Sequence, residues 1–167
     1  SNRIQAINLK QGFLFGKESL NTQYFSMYYD DTLNIKAQAE LGKLLFFDPI
    51  LSGNNQNACV SCHDPSKGFT DGLAKGLAFD KTNSLPRNTP TLLNVIYQKA
   101  FFHDGRAYQL EQQIFDVVHN KSEMQSNFKD VIEKLKKDPT YQTLFHQAFK
   151  NTSDSVITSY AIQKAIM

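Results

Sequence analysis

Cys59-Val60-Ser61-Cys62-His63 is the stretch on which the reading of this chain turns. It is the attachment sequence for a covalently held c-type haem, and it uses both of the chain's cysteines. On one helical turn, positions i, i+3 and i+4 share a face. Cys59 and Cys62 are therefore placed to form thioethers to a porphyrin, with His63 rising beneath the iron as its proximal ligand. A redox function follows before any fold is known.

Two other uses of the pair fit the sequence less well. A thioredoxin-like dithiol belongs beside a strand-rich βαβ pattern, which this sequence does not show, and it would leave His63 unexplained. A structural zinc ion takes four ligands, and there is no second cysteine pair to close the tetrahedron. Haem attachment also requires a dedicated export and ligation pathway, which a sequence does not display. At this point an apo or disulfide form stays open.

Outward from the motif, composition sets bounds. A chain of 167 residues with 41% apolar content is read as one domain able to bury a core beside a cofactor. The 18 Lys and Arg against 16 Asp and Glu give +2, and the charges are mixed along the chain, so nothing points to nucleic acid. No apolar run is long enough for a membrane span. The start carries no signal-peptide hydrophobic segment, so an exported form is expected to have lost its leader.

Periodicity then divides the chain. Residues 1–32 show no sustained period and are read as an irregular arm. From Leu33 through Leu41, Leu44 and Leu45 the apolar spacing is helical, with Thr32 or Asn34 available as cap and Asp48-Pro49 as the stop. The polar run Ser52-Gly53-Asn54-Asn55-Gln56-Asn57 reads as a loop leading to a short helix over Cys59 to His63. Pro65, Pro86 and Pro90 with Gly68, Gly72 and Gly76 make residues 64–100 mainly loop, of a length usually reserved for function or for covering a cofactor. Helices are expected over Leu110 to Val118, then from Phe128 to Leu135 behind Ser126 as cap. Another should open at Asp138-Pro139 with Tyr141, Leu144, Phe145 and Ala148 on its apolar face. A last helix is expected from Ser153 to Ser155 onward. Because Met167 brings no termination signal, the chain is expected to be part of something longer. The fold class read from this pattern is all-α: a cytochrome c-like helical domain over 33–167 with long haem-covering loops.

Three blocks carry a resemblance. They are Leu41-Gly42-Lys43-Leu44-Leu45-Phe46-Phe47-Asp48-Pro49-Ile50-Leu51-Ser52-Gly53, then Pro86-Arg87-Asn88-Thr89-Pro90-Thr91-Leu92-Leu93-Asn94, then Phe101-Phe102-His103-Asp104-Gly105-Arg106-Ala107-Tyr108-Gln109-Leu110-Glu111-Gln112-Gln113 followed by Glu123-Met124. In this order, around the haem motif, they resemble the N-terminal half of the bacterial di-haem cytochrome c peroxidases, the family that also includes the MauG-like enzymes. The resemblance implies a peroxidatic domain in which hydrogen peroxide is reduced to water. It also implies a second haem domain, absent from this chain, that accepts electrons from a small cytochrome or cupredoxin. An oxidising, periplasmic compartment is implied with it.

The same resemblance assigns residues. Reduction of peroxide at haem needs an open iron position and a group that moves a proton between the two oxygens. Glu123 matches the family's distal glutamate, Gln113 its distal glutamine, and Phe102 an apolar residue of the same pocket. His103 stands where the family usually has Trp. Imidazole is a poorer one-electron relay, so His103 is read either as an electron-path residue or as a hydrogen-bonding partner of a haem propionate or a carbonyl. Arg106 is read as pairing with Asp104 or with a propionate, across a turn fixed by Gly105. Asn88 matches a calcium position between the family's two domains, most of whose oxygen ligands would lie in the missing half.

The loop from Asp64 through Ser84 contains no histidine to cap the iron, which is closer to the MauG-like pattern. Met27, His119, Met124 and His146 are the other side chains that could ligate. Two alternatives to the peroxidase accompany it: an electron-transfer cytochrome with histidine and methionine on its iron, and a MauG-like oxidation of a protein substrate.

Overall fold

The computed structural model describes residues 34–149 and 156–167, so the arm expected over 1–32, with Thr32 and Met27, lies outside the described residues. Among the described residues five α-helices follow one another: α1 (Ile35–Phe47), α2 (Leu110–His119), α3 (Phe128–Lys137), α4 (Pro139–Ala148) and α5 (Ser159–Ile166). Short 3-10 turns occupy Pro49–Leu51, Cys59–Ser61, Pro65–Lys67 and Val95–Tyr97. Among the described residues there is no strand, only isolated bridges joining Asp64 to Thr70, Leu77 to Ser84 and Phe101 to Ala107. The all-α class holds. Among the same residues, no helix is long and apolar enough to cross a membrane.

Caps explain where the helices begin. Asn34 opens α1 by accepting from the Ala37 N–H at 3.3 Å. Asp48 closes α1 through its own N–H to the Leu44 carbonyl, and its carboxylate then accepts from the Ile50 N–H at 2.8 Å to start the next turn. Asp138 repeats the device between α3 and α4, accepting from the Thr140 N–H at 2.8 Å ahead of Pro139 in the first helical position.

Three boundaries differ from the sequence reading. The cap of α3 is Asn127, whose Oδ1 accepts from the Asp130 N–H at 2.9 Å, whereas the Ser126 hydroxyl is buried without a hydrogen-bond partner. Either residue is a good cap, and the one whose side chain faces the helix amides takes the role. The last helix begins at Ser159 behind Thr158, not at Ser153 to Ser155, which lie outside the described residues. Val156 and Ile157 are buried in non-helical backbone ahead of it, and apolar spacing alone does not separate such an entry from a helical turn. The haem motif forms only a 3-10 turn over Cys59–Ser61, extended by a His63 N–H bond to the Cys59 carbonyl at 2.9 Å.

Helices α1, α3, α4 and α5 enclose the core. Leu41, Leu45, Val131, Leu135, Phe145 and Ile162 are all 0% exposed, and burying each such side chain contributes about 1.5–3 kcal/mol. Helix α1 crosses α5 at Gly42, where a Cβ would collide with the Ala165 carbonyl. Gln38 ties α1 to the end of α4 by donating to the Ala148 carbonyl at 3.2 Å, and the Tyr141 hydroxyl donates to Asp48 at 2.7 Å. From Val60 to Gln109 no residue joins this core. The stretch buries Phe101 and Ala107 but leaves Leu73, Leu77, Leu93 and Tyr97 exposed. Aspartate side chains hold much of it in shape, with Asp64 accepting from Ser66, Asp71 from Leu73 and Asp80 from Thr82 and Asn83.

Candidate haem site

The motif presents its histidine oriented. His63 Nδ1 lies 3.0 Å from the Phe69 carbonyl oxygen, and since a carbonyl only accepts, Nδ1 carries the proton. The Nε2 lone pair is then the one available to a metal, the arrangement in which a ligating imidazole is fixed by a partner on its other nitrogen. Burial pushes the His63 pKa down, against the Phe69 and Pro90 carbonyls and Asp71, which work the other way. The neutral ring is the ligating form.

The two cysteines are unpaired and half-buried. Burial pushes the Cys59 thiol up to about 11. Cys62 is also raised, by burial first and then by the charges of Asp71 and Glu123. A dithiol redox pair works through a depressed thiol pKa, and burial moves both of these thiols the other way. Among the described residues no group of three or more His, Cys, Asp and Glu side chains could hold a metal ion. Beside the motif lies a cleft of about 210 Å³ lined by Val60, Ser61, Cys62, Asp64, Lys67, Asp71, Leu73 and Leu77. An imidazole oriented by the Phe69 carbonyl, two unpaired cysteines beside it, Cys62 on the cleft wall, and the exposed Leu73 and Leu77 suit a covalently held haem.

Glu123 belongs to the turn after α2. Its Oε1 accepts from Asn120 Nδ2 at 3.1 Å, and its N–H donates to the Asn120 carbonyl at 3.1 Å. Burial raises its carboxyl pKa, while the Arg106 charge and the Asn120 amide restrain the rise. Neighbouring segments pin the turn: the Phe79 N–H donates to Ser122 O at 2.8 Å and the Gly53 N–H to Met124 O at 2.9 Å. Met124 itself is turned into the core, 6% exposed.

Arg106 sits over Phe102, its guanidinium carbon 3.5 Å from the ring centroid. Its Nη1 donates to both Asp104 oxygens at 3.0 and 3.2 Å, and its Nε lies 3.8 Å from Asp116. The Asp104–Arg106 pair expected across this turn is thus formed, and Gly105 takes the left-handed conformation at φ +67°. Phe102 is also left-handed, at φ +63°, and half-buried. Gln113 is half-buried on α2, and among the described residues no hydrogen bond joins its side chain to Glu123. His103 and Asn88 are exposed. Next to Asn88, the buried Thr89 donates to Asp71 at 2.9 Å. His119 holds the Phe115 carbonyl at 2.8 Å and stacks on that ring.

Sequence reasoning missed Asn120, the Phe69 carbonyl and the Thr89–Asp71 bond. Asn120 carried a signal, an Asn at a helix end three residues before the candidate acid. The Phe69 carbonyl carried none, because a main-chain group leaves no mark in residue type.

A helical domain built around this attachment motif defines a cytochrome c-like haem protein. The chain belongs to the di-haem cytochrome c peroxidase family, whose family model matches residues 36–167. It is 44% identical over 109 residues to methylamine utilization protein MauG of Methylorubrum extorquens, covering 65% of this chain and 31% of that protein. With cytochrome c551 peroxidase of Nitrosomonas europaea it shares 37% over 126 residues, 74% of this chain and 37% of the relative. Among solved structures, a MauG-like protein associated with microbial copper homeostasis superposes with TM-score 0.69 at 26% identity, covering 78% of this chain and 39% of that one. The match spans about a third of the length of these curated relatives. The family is one of haem oxidoreductases, and c-type haem is its cofactor.

Proposed function

We propose that this chain is the peroxidatic domain of a longer enzyme, holding haem c through Cys59, Cys62 and His63 and reducing hydrogen peroxide to water beside Glu123. The observation that carries the reading is the half-buried Glu123 carboxyl, held by Asn120 Nδ2 at 3.1 Å and raised in pKa by its burial. When bound, haem supplies the iron at which peroxide accepts electrons. Peroxide takes two electrons and two protons to give two waters. Glu123 is the group that receives a proton from one peroxide oxygen and delivers it to the other. Its raised pKa brings it closer to the working pH, Arg106 limits that rise, and Asn120 fixes the carboxyl's orientation.

The remaining assignments extend the same reading. Gln113 donates its amide to peroxide and Phe102 supplies an apolar wall. Arg106 and His103 lie toward the haem propionates, and Asn88 offers one oxygen to a calcium ion shared with the second domain. Electrons arrive from the second haem domain, charged by a small cytochrome or cupredoxin, in the periplasm. The electron-transfer alternative loses its nearest methionine, since Met124 is part of the core.

The test is Glu123→Gln in the full-length holoenzyme. Its haem absorption should be unchanged while peroxide turnover falls by about 10²-fold or more; undiminished turnover overturns the assignment. MauG-like oxidation of a protein is the second reading, supported by the histidine-free loop from Asp64 to Ser84. Rapid oxidation of a small reduced cytochrome by peroxide-treated holoenzyme favours the peroxidase. Slow reaction with that donor, together with oxidised aromatic side chains on a protein substrate, favours the second.

A further inference from the structure

We propose that Lys134, on α3, is a positioning residue for Glu123 that acts through the loop from Pro49 to Asn57; the inference rests on the acid role given to Glu123 above. Lys134 Nζ donates to the Ile50 carbonyl at 3.2 Å, the Ser52 carbonyl at 2.7 Å and Asn55 Oδ1 at 2.7 Å. All three ammonium protons are thereby engaged, and every acceptor is a neutral oxygen of one loop. Burial pushes the Lys134 pKa below the usual lysine range, with Asp130 opposing it. A lysine so placed is a fixed tether, unlike a solvated surface charge.

Both ends of the candidate site hang from the loop it gathers. Gly53 donates its N–H to Met124 O at 2.9 Å, one residue after Glu123, and its Cα approaches the Gln125 carbonyl so closely that a Cβ would collide. Ser52 Oγ accepts from the Asn57 N–H at 3.3 Å, two residues before Cys59. Asn57 in turn donates to the Phe79 carbonyl at 3.1 Å, and the Phe79 N–H holds Ser122. One loop therefore sets the register between the carboxyl and the attachment motif, and Lys134 is the charged donor that fastens the loop to the helical core. Removing it takes a donor from all three oxygens, leaving Ser52 O only the longer bond from the Asn55 N–H at 3.4 Å, and lets the Gly53 contact slide along the Glu123 turn.

Lys134→Met in the full-length holoenzyme, which keeps the stem and removes the donors, is the test. Haem content and the KM for the electron donor should stay the same, while kcat/KM for hydrogen peroxide falls by roughly tenfold or more. Placed on Glu123→Gln, the same substitution should cause no further fall, because a positioned acid is no longer there to displace. A lower melting temperature with unchanged peroxide kinetics overturns the proposal, as does an equal loss in both backgrounds. Asn55→Ala removes one acceptor of three and should give a smaller loss with the same dependence on Glu123, which keeps the test available if Lys134→Met does not fold. If Glu123→Gln retains full turnover, the parent reading fails and this one with it; if only Lys134→Met is silent, this one fails alone.

Discussion

The four-helix core and the stretch from Val60 to Gln109 are stabilised by different means. Helices α1, α3, α4 and α5 turn leucines, valines and phenylalanines toward one another and exclude water. The stretch from Val60 to Gln109 is shaped by aspartate turns and carbonyl bonds, with leucines at its surface and little apolar interior of its own. The first part is held mainly by apolar burial, with a few polar ties such as Gln38 to Ala148 and Tyr141 to Asp48. On the proposed reading a haem would supply the apolar interior that the second part lacks, and binding would then stabilise it.

The largest effect should come from removing the attachment. In Cys59→Ser/Cys62→Ser protein, hydrogen exchange of amides between 60 and 109 is expected to rise steeply, while amides of α1, α4 and α5 keep their protection. Uniform loss of protection would abolish the contrast between the two parts. Phe145→Ala probes the other side: truncating this 0% exposed ring should cost about 3–5 kcal/mol in denaturant unfolding. The haem absorption spectrum should stay unaltered under native conditions. The smallest effect is a pH response confined to the loop. Hydrogen bonds from Asn83 and Thr82 hold Asp80 at about 2, below its ordinary 3.8. A depressed carboxyl stabilises the folded form above the unfolded value, so this turn should be intact above pH 3.8 and loosen as the pH falls toward 2. NMR shifts of the Thr82 and Asn83 amides should follow that titration while the α1 amides stay still.

The two parts were not equally legible. Apolar spacing located α1 to α4, since each buries one stripe, and Asp138-Pro139 marked the α3–α4 junction to the residue. It failed at Val156 and Ile157, where burial occurs without a helix, and at Ser126, where two adjacent cap formers compete. In the loop, Gly105 fixed its turn as expected, but Asn94 and Phe102 share the same left-handed backbone without glycine to announce it. The haem motif could be named because its chemistry lies in side chains at fixed spacing, whereas Glu123 was reached only through the family resemblance. Their supports, Lys134 over three loop oxygens and Phe69 over His63, join residues distant in sequence or use main-chain atoms, and no local pattern encodes them.

That His63 is aligned by a peptide oxygen has an evolutionary corollary. No exchange of side chain at position 69 can delete an acceptor that every amino acid possesses, so the orientation of the His63 ring is sheltered from point mutation there. The carboxylate of Glu123 leans instead on the Asn120 amide, which a single codon change can remove. Substitution can therefore loosen the hold on Glu123 while the hold on His63 persists.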